Sequence, residues 1–151
     1  MIDRRMVTTT TAACPLATPT VAGARRVQVR ARVFRLPECG CCGAWVAHLE
    51  QHGFAVDGVM TQDMEAVKNR HAVPTPLRSC HTALIEGCVI EGHVPATDIR
   101  RLIDERLQAR GLAVPGMPVG SPGIELGGAR DPFDVILWSG SDTRIFSSHR
   151  G

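Results

Sequence analysis

From Val27 to Phe34 apolar and polar positions alternate: Val27, Val29, Ala31 and Val33 stand against Gln28, Arg30 and Arg32. A period of two with β-branched residues predicts a strand. Leu36-Pro37-Glu38 breaks it, and Cys39-Gly-Cys-Cys-Gly43 follows. From Cys42 to His52 the pattern turns helical, with Trp45, Val46 and Leu49 on one face and Gly53 as the stop. Phe54 to Met60 reads as a second strand. Thr61 is placed to cap a second helix through Arg70, with Asp63 and Glu65 in its first turn and Met64 and Val67 on its apolar face.

A proline-containing loop, Val73 to Arg78, leads into Ser79-Cys80-His81. Thr82–Ile85 and Cys88–Val94 predict a hairpin around Glu86-Gly87. Pro95 suits the first turn of a third helix, which buries Ile99, Leu102, Ile103 and Leu107 and ends at Gly111. Residues 111–128 are rich in Gly and Pro, and a loop of that length suggests a cover for a site. Asp134–Trp138 and Thr143–Phe146 predict a closing hairpin. The order strand, helix, strand, helix, hairpin, helix is that of a thioredoxin-like α/β sandwich, a mixed sheet with flanking helices. In that fold the first strand delivers a cysteine pair to the N-terminus of the first helix.

Residues 1–26 read differently. Arg4 and Arg5, a Thr/Ala/Val-rich stretch and Ala22-Gly23-Ala24 follow the order of an export signal, by the general or the twin-arginine route. Cys14 is a candidate lipid attachment site, although the Leu expected three residues earlier is absent. A disordered cytosolic tail is the alternative. The expected organisation is thus a tail over 1–26 and one metal-binding domain over 27–151, in a periplasmic protein. No stretch is apolar enough to predict a membrane span.

With 151 residues, 44% hydrophobic and 4% aromatic, the chain has material for one mostly aliphatic core. A net charge of +2, with scattered arginines and Lys68 as the sole lysine, argues against a nucleic-acid or membrane surface. The unusual number is six cysteines, at 14, 39, 41, 42, 80 and 88, three of them within four positions. Disulfide frameworks spread their cysteines along the chain; this crowding points to metal or redox chemistry.

Free N–H groups and the dipole at a helix N-terminus favour thiolates at Cys39, Cys41 and Cys42. A dithiol oxidoreductase needs only Cys39 to attack and Cys42 to resolve; a third thiol invites mispairing. Zinc prefers four separated ligands in a closed tetrahedron. Thiolates shared among Cu(I) ions relax that constraint, and soft sulfur selects Cu(I), so the crowding favours one copper ion or more. A thiol–disulfide oxidoreductase using Cys39 and Cys42, and a structural zinc or disulfide module, remain the alternatives.

Cys80, just after the proline loop, is the fourth candidate ligand. Pro74 or Pro76 is a candidate for the cis-proline of a thioredoxin-like site, with ordinary loop proline as the alternative. His81 is a further candidate ligand, but neighbours on a strand point to opposite faces, so hydrogen bonding to a ligand is its alternative. Met117 in the Gly/Pro loop offers a soft thioether or simply fills a gap. His93 is a weaker candidate. His48 and His52, spaced i, i+4, read as solvated, and Cys88 as a buried structural thiol.

These residues resemble the CopG-like copper-resistance proteins, many of them known only as a metal-binding domain of unknown function. The matching segments are Cys39-Gly-Cys-Cys-Gly43 with Trp45 and His48-Leu49; Ser79-Cys80-His81-Thr82; Val89-Ile90-Glu91-Gly92-His93-Val94-Pro95; and Gly111 to Gly123. They span nearly all of residues 29–139. The resemblance implies a thioredoxin-like fold, periplasmic copper handling with a copper-handling or redox partner protein, copper on the Cys-x-Cys-Cys thiols and Cys80, and a role in interconverting copper oxidation states. Leu36-Pro37-Glu38 departs from the Ser/Thr-Pro-Thr usual before the first cysteine. Cys88 stands where an aromatic is common and adds a thiol.

Overall fold

A computed structural model describes residues 28–150. The expected export segment and Cys14 lie outside the described residues. Strand β1 (Arg30–Arg35) leads into helix α1 (Gly40–Gln51), then β2 (Ala55–Met60) and α2 (Met64–Arg70). A 3-10 turn (Thr75–Leu77) precedes the hairpin of β3 (Thr82–Ile85) and β4 (Cys88–Glu91). Helix α3 (Ala96–Asp104), β5 (Gly111–Ala113), β6 (Phe133–Ser139) and β7 (Asp142–His149) complete the described residues. The result is a mixed α/β fold on one seven-stranded sheet, in the order β2-β1-β3-β4-β5-β6-β7. No helix among the described residues is long and apolar enough to cross a membrane.

The alternation expected of β1 is there: Ala31 and Val33 are buried while Arg30 and Arg32 are exposed. The Glu86-Gly87 turn has positive φ at both positions, 48° and 80°, as a tight hairpin turn demands. Alternate sheet residues build two cores. Trp45 and Leu49 of α1 and Ile99 and Leu102 of α3 pack with Val33, Ala83, Ile85, Ile90 and Leu112 on one face. Val73 and Leu77 pack with Val89, Ala113 and Trp138 on the other.

Four expectations need correction. Helix α2 is capped by Asp63, whose carboxylate accepts from the Ala66 N–H at 2.9 Å; Thr61 instead accepts from the Asp63 N–H. The third helix stops at Asp104, leaving Leu107 outside it but still against the core. Gly111 does not end a helix; it opens β5, hidden in the Gly/Pro-rich stretch. A Cβ at Gly111 would lie 1.7 Å from the Val89 carbonyl oxygen, so only glycine lets β5 approach β4 there. Finally, there is no cis peptide bond among the described residues, so Pro74 and Pro76 are ordinary trans prolines around the 3-10 turn.

Registry decides what meets at one end of the sheet. β1 runs antiparallel to β3 with Phe34 opposite Thr82, and β3 antiparallel to β4 with Thr82 opposite Glu91. β4 runs parallel to β5 with Glu91 opposite Ala113. The segments just beyond these pairs therefore lie side by side: 36–42 after β1, 79–81 before β3, 92–93 after β4 and 114–117 after β5.

Candidate metal centre

The thiol end of α1 is built by Cys39 at the helix N-cap, in an extended conformation and without a side-chain cap. The Cys39 carbonyl accepts from the Gly43 N–H, which leaves the first N–H groups of the helix without partners inside it. Cys42, three residues on, turns inward and is buried, while Cys39 and Cys41 stay partly exposed. Cys39 and Cys42 form a disulfide, with their Cα atoms 5.3 Å apart. Cys41, Cys80 and Cys88 are free thiols. The Cys41 sulfur lies 3.5 Å from that of Cys39. A Cβ added at Gly40 or Gly43 would meet nothing within 4 Å, so the helix start is open on the sides of these two glycines.

Cys80 joins them: the sulfurs of Cys39, Cys41, Cys42 and Cys80 lie within 4.8 Å of one another. A second set overlaps at Cys80, whose sulfur, with a ring nitrogen each of His81 and His93, forms another group within the same limit. The Cys80 sulfur is 3.2 Å from His81 Nδ1 and 3.0 Å from His93 Nε2. The strand argument against His81 fails because β3 begins only at Thr82. The chain bends at residue 80, so adjacent side chains need not part to opposite faces.

The imidazoles have distinct surroundings. His93 Nδ1 donates to the Pro122 carbonyl at 2.8 Å, which leaves Nε2 as a lone pair facing Cys80. A ligand histidine is commonly oriented in this way. His81 is fully buried, its ring 4.3 Å from that of Trp45 and 4.9 Å from that of His93. Its Nε2 has no partner. Trp45 is tied across the site by donating Nε1–H to the Val94 carbonyl at 2.9 Å.

Burial, and then the charge of Cys41, push the Cys80 thiol up to about 12. Burial, followed by His93 and Lys68, pulls His81 well below the usual imidazole range. Burial also lowers His93, while its hydrogen bond to Pro122 pulls the other way. Both histidines are thus neutral and able to donate a lone pair near neutral pH.

The Gly/Pro-rich segment covers this end of the molecule as expected. Gly123, at φ +90°, lets the loop press on the helix start; a Cβ there would lie 2.8 Å from the Cys41 carbonyl oxygen and 2.9 Å from the Trp45 nitrogen. The Ser79 hydroxyl donates to the Gly116 carbonyl at 2.6 Å, bringing the residue before Met117 against the residue before Cys80. Met117 itself is exposed, at 58%.

The remaining expectations divide. His48 is not simply solvated: its Nε2 accepts from the Ala96 N–H at 3.1 Å, serving the start of α3, and its ring sits 4.3 Å from that of His52. Cys88 lies on β4, partly buried against the main core, and belongs to neither of the two ligand groups at Cys80. His93, the weaker candidate by sequence, is brought beside Cys80 by the fold. Its signal was present in the Gly-His-Val-Pro run after a strand, but its aim depends on strand register and on the Pro122 carbonyl.

Comparison with known proteins agrees with this geometry. The family described as "Protein of unknown function, DUF411" matches residues 77–124, which hold Cys80, His81, His93, Met117 and most of the covering loop. Two solved structures are similar along nearly their whole length. "Copper resistance protein copG- Form 1" is 45% identical, with a TM-score of 0.78, covering 82% of this chain and 99% of its own. "Copper resistance protein copG- Form 2" is 44% identical, with the same TM-score and coverage. No curated protein matches the chain.

Proposed function

The chain belongs to the CopG-like copper-resistance family, and from that premise we propose that it is a periplasmic protein that holds Cu(I) on clustered cysteine thiolates. The observation that carries the proposal is the meeting of Cys39, Cys41, Cys42 and Cys80 within 4.8 Å. Four soft donors at that spacing suit Cu(I), and shared sulfurs accommodate more than one ion. Neutral His93 and His81 add nitrogen donors at Cys80, and Met117 adds a thioether at the rim.

The domain is thioredoxin-like in this reading. Support comes from β1-α1-β2 with β1 and β2 parallel, followed by the β3-β4 hairpin antiparallel to β1. Export would follow from residues 1–26, read as a signal, and would put the domain outside the cytoplasm.

The Cys39–Cys42 disulfide sets a condition on binding. Two electrons and two protons, from an external dithiol, must first convert it to two thiols; metal uptake then displaces the protons. That same disulfide, at the start of a helix, favours a second reading as a thiol–disulfide oxidoreductase in which Cys39 attacks and Cys42 resolves.

Anaerobic Cu(I) titration of the reduced domain against a competing chelator separates the readings. The copper reading expects at least one tightly held ion per chain, weakened in Cys41→Ser and Cys80→Ser. Less than one tightly held copper per chain, with disulfide turnover that survives both substitutions, favours the oxidoreductase.

A further inference from the structure

Behind the metal centre, on the opposite face of the sheet, lies a buried ionic cluster that metal binding does not itself require. Lys68 of α2, Thr82 of β3 and Glu91 of β4 are at most 3% exposed. Glu91 Oε1 accepts from Lys68 Nζ at 2.5 Å and from the Ser79 backbone N–H at 2.7 Å. Glu91 Oε2 accepts from the Thr82 hydroxyl at 2.6 Å, and that hydroxyl accepts from Lys68 Nζ at 3.1 Å. Replacing a buried pair by apolar residues of similar size is often neutral or stabilising, so stability alone does not account for it.

We infer that Lys68 and Glu91 are positioning residues for the metal centre: the Glu91 carboxylate, oriented by Lys68, holds the Ser79 N–H and so turns the Cys80 thiol toward the cysteines of α1. The register shows why a clamp is needed. Alternate residues of a strand share a face. If β3 ran on regularly before Thr82, Cys80 would point with Thr82 toward α2, away from the face on which α1 packs. Instead the chain bends at residue 80, and the Cys80 sulfur joins those of Cys39, Cys41 and Cys42. Glu91 sits directly opposite Thr82 and reaches back past it to residue 79. The same Ser79 ties down the covering loop through the Gly116 carbonyl.

This inference rests on the copper reading for its purpose but not for its test. Two double variants are compared with the parent, each reduced and metal-free. Lys68→Met/Glu91→Leu removes the clamp without leaving a lone buried charge. Lys68→Met/Glu91→Gln keeps an acceptor for the Ser79 N–H. Cu(I) affinity is read by chelator competition, and the alkylation rate of Cys80 by mass spectrometry of labelled peptides. The Leu variant is expected to lose about 10- to 100-fold in Cu(I) affinity, the range for groups that orient a ligand. Its Cys80 should alkylate at least about fivefold faster as the thiol leaves its half-buried position. The Gln variant should stay within about threefold of the parent in both.

Parent-like affinity and alkylation in the Leu variant, or equal losses in both variants, would overturn the inference. If the parent binds no Cu(I), the copper reading falls and the alkylation rates alone decide the positioning role. Should the Leu variant not fold, Ser79→Pro and Ser79→Ala carry the same test with the ionic cluster intact. Arg78, at φ −65° and ψ 141°, already has the backbone that precedes proline. The proline variant, which lacks the N–H as well as the hydroxyl, should lose clearly more than the alanine variant, which lacks only the hydroxyl and its bond to Gly116; equal behaviour of the two would count against the clamp.

Discussion

The Cys80 sulfur lies 3.0 Å from His93 Nε2, across 13 residues of sequence and a hairpin. The Pro122 carbonyl fixes the other ring nitrogen of His93. Cys80 is therefore the point where the sulfur-rich and nitrogen-bearing groups join.

His93→Gln tests that junction. Glutamine keeps a polar group but loses the fixed lone pair facing Cys80. Cu(I) affinity should fall about 10- to 100-fold by chelator competition. The number of titratable thiols in the reduced, unfolded chain should stay the same. Unchanged affinity would remove His93 from the centre.

Metal loading should depend on pH in a defined direction. Burial and the charge of Cys41 keep the Cys80 thiol protonated at neutral pH. Copper must displace that proton, so apparent affinity rises with pH, about tenfold per unit for each thiol proton released. Calorimetry in buffers of different ionisation heat counts the protons. A count of zero at neutral pH would contradict the protonated state.

The metal-free protein should lose stability in acid for a separate reason. Burial lowers His81 strongly and His48 and His93 in the same direction from the ordinary 6.5. Below about pH 6.5 the unfolded chain takes up protons that the folded chain refuses, so stability falls as pH falls through that window. The loss continues until the folded-state values are reached. Thermal unfolding from pH 7.5 to 5 should show it, and His81→Asn should flatten the slope. An unchanged slope would mean that His81 titrates normally.

How far could the site be read beforehand? Alternation in β1, the apolar spacing of α1 and the turn residues at Glu86-Gly87 were explicit in local sequence, and these elements carry the cysteines. Cys80 could be placed with them because it follows a proline-containing loop, which a thioredoxin-like arrangement sets across from the start of the first helix. Other features depended on contacts that no local pattern records. β5 is three residues long, too short for a period, and exists because Gly111 admits a neighbouring backbone. The bend at Cys80 follows Ser79, whose N–H is held by a carboxylate 12 residues further along the chain. Rules for regular strands therefore do not govern His81, the residue beside that bend.

Gly123→Ala probes the loop over the centre. The new Cβ would meet the Cys41 carbonyl and the Trp45 nitrogen at under 3 Å, in a backbone conformation that disfavours a side chain. A cost of about 1–3 kcal/mol in unfolding free energy is expected, together with weaker Cu(I) retention. Gly127→Ala, also at positive φ but with nothing within 4 Å, is the control and should spare copper binding. Equal effects on copper would separate the loop from the site.

The most direct measurement is copper-edge X-ray absorption on the reduced chain loaded anaerobically with Cu(I). Copper that stays monovalent, in a coordination shell dominated by sulfur that shrinks in Cys80→Ser, is the predicted result. A shell of nitrogen and oxygen alone, indifferent to loss of the Cys80 sulfur, would contradict the account.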